Sequence, residues 1–430
     1  MASDPNASEK PGAVVGPRDG HDDEHDSSPA VSLERKPVDF DDGELVFDHG
    51  FRAWGVINTF GVFQTYYERN ILSDYSPSTI AWIGSLQACL LLTVGSVTGP
   101  LFDAGYFRQL LIFGWFMLPF GLMMTSLSTE FWQIMLAHGI CVGLGSGSLF
   151  VPSVAILPQY FKKRRGLANG LAASGSSIGG LVYPIMFHEL EQKIGFPWAT
   201  RVLGFATLGT LTISQVLMRA RIFPAEKRAL IQLNAFKELP YILFCFTLFI
   251  AFCGFYNLLF FIQSYAIDTG IMGENLAFYL LSMLNAASTF GRVLPNFVAD
   301  YTGPLNVFIP ALSVTALLGY CWIAINSAAG VIVLSILYGF FSGGFVSLPP
   351  VLLMGLTSDM RDFGTRLGMS FAICSIGVLI GAPIGGAIIG AMDGKYLGVQ
   401  LFTGSCIATG ASTAIFLRFY RTGPKLFVKA

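Results

Sequence analysis

Residues Tyr160–Gly180 read YFKKRRGLANGLAASGSSIGG: four adjacent cations, Lys162, Lys163, Arg164 and Arg165, run directly into an apolar segment of small residues. In a bilayer-spanning protein such cations hold their loop on the cytoplasmic face, because short loops rich in Lys and Arg resist translocation. Behind them Gly166, Gly170, Ala173, Gly175 and Gly179 would let the next helix lie against a neighbour, since association in lipid relies on close backbone packing. One stretch thus implies compartment, orientation and packing. A basic nuclear-import or nucleic-acid patch on a soluble protein is the competing reading, and the surroundings are too apolar for it.

Of the 430 residues 53% are hydrophobic and 12% charged, against about 25% charged in soluble domains. A mean hydropathy of +0.60 places the chain among multispanning membrane proteins. The formal charge of -1 gives no footing for nucleic acid. Seven cysteines lie singly inside apolar runs and read as small hydrophobes, without disulfide or zinc spacing. No P-loop, dinucleotide fingerprint, metal-ligand cluster or Ser-His-Asp pattern occurs, so neither an enzyme, a resident cofactor nor an ATP-driven pump finds its chemistry here.

Residues 1–46 are polar and carry DGHDDEHD, too little apolar surface to offset ordering entropy, and are expected to form a disordered cytoplasmic tail. His21 and His25 belong to that solvated acidic tail rather than to a metal site. Apolar runs follow at 53–67, 78–100, 110–128, 131–157, 166–188, 198–218, 239–262, 275–297, 307–326, 330–355, 367–391 and 398–418. Each is judged against the roughly 20 residues that cross about 30 Å of hydrocarbon. The first, AWGVINTFGVFQTYY, reaches only about 23 Å at 1.5 Å per residue and falls short. The expected organisation is therefore an all-α membrane protein of about twelve spans. Its parts are an N-terminal half at 47–218, a cytoplasmic loop at 219–238, a C-terminal half at 239–420 and a short tail at 421–430.

Counting cations sets the orientation. With both termini inside, the cytoplasmic loops receive Arg108, Lys162–Arg165, Arg219, Arg221, Lys227, Arg228, Lys237, Arg361, Arg366 and the terminal cations, while the outer loops receive Arg69, Lys193 and Lys395. That asymmetry places both termini in the cytoplasm.

Two sequence pairs point to an internal repeat. Asp103, in GPLFDAG, and Asp300, in NFVADYTG, stand 197 positions apart, and Gly170 with Ser177-Ile178-Gly179 recurs as Gly368 with Ser375-Ile376-Gly377 at an offset of 198. Nearly equal offsets point to two equivalent six-helix halves, the parallel repeat used by rocking transporters.

These residues resemble the major facilitator superfamily. Gly99, Asp103, Gly105 and Arg108 are similar to its loop motif between the second and third helices, with Ala104 where an arginine is common. The resemblance implies a cytoplasmic latch formed by Asp103, Arg108 and Asp300; a tight solvated turn is the plainer alternative. Tyr160–Ala172 is similar to the signature leading into the fifth helix of the monocarboxylate porter family, and Asp48–Trp54 resembles the motif before the first helix, with His49 in place of a glycine. Fungal-looking members have a longer first apolar run, so the resemblance implies that roughly a dozen residues are absent here, in line with the short first span.

Arg292, within NAASTFGRVLPNF, is the leading candidate for substrate contact. A mid-helix cation costs about 2.5–3.5 kcal/mol on insertion scales and usually faces a cavity or an anion. Asn285, Ser288 and Arg292 recur at i, i+3 and i+7 and share one helical face. The resemblance implies that an arginine in the eighth helix meets the substrate carboxylate; snorkelling, or pairing with Asp300 in the latch, is the alternative. Asn58 and Asn257 are expected across the cavity. The aspartate and lysine of proton-coupled lactate carriers are replaced by Ser288 and Asn58, which removes two titratable groups and turns the reading from simple lactate symport towards bulkier metabolites.

The aromatics of the seventh span, from Phe244 to Phe261, serve either as packing or as the wall of a site for a planar ligand. His138 is a proton carrier or a hydrogen-bonded interface residue. The expectation is a secondary transporter in the plasma membrane for a small organic anion or secondary metabolite, with protons as a candidate coupling ion. A non-transporting metabolite sensor and a defective product with a truncated first helix are the rivals.

Overall fold

The hydrocarbon interior offers backbone groups no water, so a spanning chain closes its own hydrogen bonds as helix. The computed structural model describes residues 56, 58–103, 105–160, 165–217, 232–357 and 362–423. The expected N-terminal tail, residues 424–430 of the C-terminal tail, the Lys162–Arg164 cations and most of the central loop lie outside the described residues.

Along the chain run α1 (Phe60–Tyr66), extended by a π-helical turn at Tyr67–Ile71, α2 (Pro77–Asp103) and α3 (Phe107–Thr125). Next comes α4 (131–160), in which a π segment, Met135–Cys141, sits between α segments Phe131–Ile134 and Val142–Tyr160. The run Arg165–Leu217 is broken at Gly195, whose φ of 76° is costly for any residue with a Cβ, into α5 (165–194) and α6 (196–217). A 3-10 turn at Leu233–Lys237 leads to α7 (Leu239–Asp268), α8 (Glu274–Thr302) and α9 (Pro304–Cys321). Gly303, at φ 99°, ends α8, and Pro304 begins α9, the usual placement of the two residues. The last elements are α10 (328–356), formed by Ala328–Ser347 and Pro349–Leu356, then α11 (Phe363–Ala391) and α12 (Leu397–Thr422).

Among the described residues, nine helical runs are long and apolar enough to cross a membrane. The fold is the all-α membrane architecture expected. Several helices outrun their apolar stretches: α5 continues through Glu189–Lys193, where the two side chains pair at 3.4 Å, although the apolar run ends near 188. Apolarity marks the bilayer, whereas helical propensity and i,i+4 pairs carry the helix beyond it.

Small residues set the packing. α5 lies along α8, and α2 along α11. A Cβ on Gly170 would sit 2.5 Å from the Arg292 carbonyl oxygen, and one on Gly166 would sit 2.6 Å from the Asn296 carbonyl oxygen. In the other seam Gly368 faces Ser96, Thr93 donates to Ser375 at 2.8 Å and Ser78 donates to the Pro383 carbonyl at 2.8 Å. The glycine segment of α5 thus meets α8 while its sequence counterpart in α11 meets α2, a reciprocal crossing.

Candidate functional site at the α5–α8 seam

α8 brings Asn285, Ser288 and Arg292 to one buried face. Arg292 is only 3% exposed. Its Nε donates to Ser288 Oγ at 3.3 Å, its Nη1 donates across the seam to the Ala173 carbonyl of α5 at 3.4 Å, and Tyr256 of α7 lies within electrostatic reach. Arg292 stands ten residues before Thr302, about 15 Å of helix rise, and eight residues, about 12 Å, before Asp300. The guanidinium is thereby held at the seam by a hydroxyl and a peptide carbonyl.

Asn285 and Asn58 converge on Gly180 of α5. A Cβ there would lie 2.6 Å from Asn285 Oδ1 and 2.9 Å from the Asn58 Cβ. The Asn285 amide donates to the Leu281 carbonyl at 2.9 Å, while its Oδ1 is buried with no hydrogen-bond partner. Such an acceptor is a cost unless something donates to it. Asn257 is not brought into this set: its amide donates to the Cys253 and Gly254 carbonyls, and its oxygen faces Gly385 of α11.

His138 lies fully buried in the π segment of α4. Its Nδ1 meets the Tyr67 hydroxyl at 3.0 Å, and its ring stands edge-on to Phe63 at 4.7 Å and Phe60 at 5.5 Å. Of the α7 aromatics, Phe246 faces outward, whereas Phe244, Phe252, Phe255, Tyr256, Phe260 and Phe261 are buried. Ring contacts run from Phe252 through Tyr256 and Phe260 to Phe60, a packed aromatic column beside the polar seam.

Of the expected latch residues, Asp300 joins α8 to the first turn of α5, accepting from Gly166 N at 3.0 Å and Leu167 N at 3.1 Å. Nearby, Asn169 donates to the Ser347 carbonyl at 2.8 Å and Asn296 to the Ser347 hydroxyl at 2.7 Å. Arg108 is exposed at the start of α3, and the side chains of Asp103 and Arg165 lie outside the described residues.

Two polar clusters lie outside the site residues that the sequence singles out. At the opposite end from Asp300, Arg69 pairs with Asp268 at 2.7 Å and Glu274 at 2.9 Å, and Glu68 accepts from Gln64 at 2.6 Å and Ser264 at 2.8 Å. Where α7 and α11 begin, Arg366 forks onto Glu238 at 2.6 and 2.8 Å. These hydrogen bonds hold the Glu238 carboxyl below its ordinary range. The adjacent Glu68-Arg69 pair closing the first span was the one available hint of the former.

A family model described as "Major Facilitator Superfamily" matches residues 50–326. The chain belongs to the major facilitator superfamily. This major facilitator is 48% identical, over 79% of its length and 76% of the relative's, to the MFS-type transporter dbaD of Emericella nidulans. It is 39% identical, over 85% of its length and 74% of the relative's, to the aspyridones efflux protein apdF of the same organism. It is 34% identical to the fujikurins efflux protein of Gibberella fujikuroi, over 97% and 94% of the two chains. It is thus a multi-pass membrane protein of a transporter family rather than an enzyme family.

Proposed function

We propose that this chain is a secondary transporter that exports a small organic anion or fungal secondary metabolite by alternating access between two six-helix halves, 47–218 and 239–420. The observation that carries the reading is Arg292: a cation buried at the seam between the halves, beside Ser288 and across from Ala173. Placing a guanidinium there is costly without an anion or dipoles to face. A substrate carboxylate or enolate replaces the weak carbonyl contact with a charge-assisted one. Asn285, whose Oδ1 awaits a donor, reads the substrate's polar groups together with Asn58, and Asn257 serves the same cavity from α7 when the halves part.

The names of the efflux relatives support export. The motif at Tyr160–Ala172 supports placement within the monocarboxylate porter branch, and the cation asymmetry supports cytoplasmic termini; export places the protein in the plasma membrane. Asp103, Arg108 and Asp300 form the cytoplasmic latch. His138, packed among aromatics and bonded to Tyr67, is a structural residue in this reading. Reconstituted vesicles loaded with a panel of acidic metabolites, with and without a proton gradient, test the proposal. Counterflow of at least one acid is expected; binding without counterflow would favour a sensor instead.

A further inference from the structure

The end of the protein that carries Arg69 gathers charge in an uneven way. Arg69 reaches across from the turn after α1 to Asp268 at the end of α7 and Glu274 at the start of α8. Asp268 also accepts from the Tyr396 hydroxyl at 2.7 Å. Glu68, next to Arg69 in sequence, has no bond to that guanidinium; its two oxygens accept from the neutral Gln64 amide and Ser264 hydroxyl. Thr65 meets the same Ser264 hydroxyl at 3.3 Å. Farther along this end, α5 contributes Glu189, bonded to Tyr279 and Lys193, along with Glu191, and His188 stacked on Phe278.

Closing this end therefore assembles three carboxylates, Glu68, Asp268 and Glu274, around one guanidinium. Like charges brought together in a partly desolvated site do not all stay ionised. The proton goes to the carboxylate that lacks the cation. The donors that Glu68 does have are neutral and shared: the Gln64 amide also donates to the Pro77 carbonyl at 3.2 Å, and the Ser264 hydroxyl also meets Thr65.

We propose that Glu68 is a proton-binding site, filled as the Arg69 end closes and emptied as that end opens to water. The proton removes the repulsion that otherwise forces α1 away from α7 and α8. This rests on the transporter reading, since only a protein whose ends alternate has an opening to oppose. Protonation itself, however, is read without any solute crossing, so the two ideas fail separately.

Infrared titration of the full chain in lipid tests it. In difference spectra against Glu68→Gln, the unmodified protein should show a protonated-carboxyl component that titrates above the ordinary carboxylate range; that component should persist in Glu189→Gln and shift its midpoint in Glu68→Asp. Hydrogen exchange of the segments 64–71 and 264–274, corrected for intrinsic rates, should slow on acidification in the unmodified chain and be slow at every pH in Glu68→Gln. A difference component confined to the ordinary carboxylate range, or protection that ignores pH in the unmodified chain, overturns the proposal. Should Glu68→Gln fail to fold, Ser264→Ala provides the second variant: loss of a donor to the carboxylate should move the band's midpoint, and an unmoved midpoint counts against the site.

Discussion

The Asp300 carboxylate caps α5: its two oxygens accept from the backbone amides of Gly166 and Leu167 at 3.0 and 3.1 Å. It ties the end of one helix to the start of another on the opposite side of the α5–α8 seam. Anions are favoured at helix N-termini, where unpaired amides and the helix dipole point outward.

Asp300→Ala should weaken closure of this end by about 1–2 kcal/mol, the usual worth of a capping carboxylate. That corresponds to roughly a tenfold shift towards forms open there. Faster hydrogen exchange in the first turns of α5, with global unfolding little changed, would report it. Asp300→Asn, which keeps one acceptor, should show about half the effect.

Two glycines separate packing from recognition. A Cβ at Gly343 would lie 2.7 Å from the Ser288 carbonyl oxygen, against backbone that cannot step aside. Gly343→Ala should lower thermal stability in detergent by about 1–3 kcal/mol. At Gly180 the nearest atoms are the end of the Asn285 side chain at 2.6 Å and the Asn58 Cβ at 2.9 Å, both belonging to the candidate site. Gly180→Ala should therefore reduce transport in the folded protein as well as lower its melting temperature, because Asn285 and Asn58 are displaced.

The Arg366–Glu238 fork has a defined pH dependence. Because its folded-state carboxyl is held low by Arg366, the pair contributes stability above the ordinary carboxylate range, and the contribution disappears as pH falls through the lowered folded value. Melting curves from neutral pH downward should show an acid-side decline that flattens in Glu238→Gln. An unchanged decline in that variant would remove the fork from the account. The effect is small, since Glu238 is partly open to solvent.

His138→Phe should preserve the pH profile of transport and cost about 1 kcal/mol of stability through the lost Tyr67 contact. Flux at two proton gradients distinguishes this from a carrier role, in which the gradient response would vanish.

Much of this architecture could be read directly from the residues. The apolar runs and the glycine-rich stretch after Arg165 specify membrane helices and close packing, and the spacing of Asn285, Ser288 and Arg292 places them on one face of α8. Arg69–Asp268, Glu68–Ser264 and Arg366–Glu238 could not be read, because each joins residues more than 120 positions apart whose meeting depends on how helices cross. Asn257 is positioned by its own helix: its amide donates to carbonyls one turn back in α7, while its Oδ1, like that of Asn285, is buried without a hydrogen-bond partner. The break at Gly195 was expected as a polar loop; the chain instead stays helical almost to the glycine and turns there through a positive φ.

In the proposed cycle Arg292 meets the substrate's negative charge. Counterflow of the transported acid in proteoliposomes, measured with Arg292→Ala and Arg292→Lys beside the parent, decides whether it does. Arg292→Ala should abolish counterflow while the melting temperature is retained, and Arg292→Lys, which keeps the charge without the planar fork, should recover part of it. Counterflow in Arg292→Ala equal to that of the parent would contradict that role.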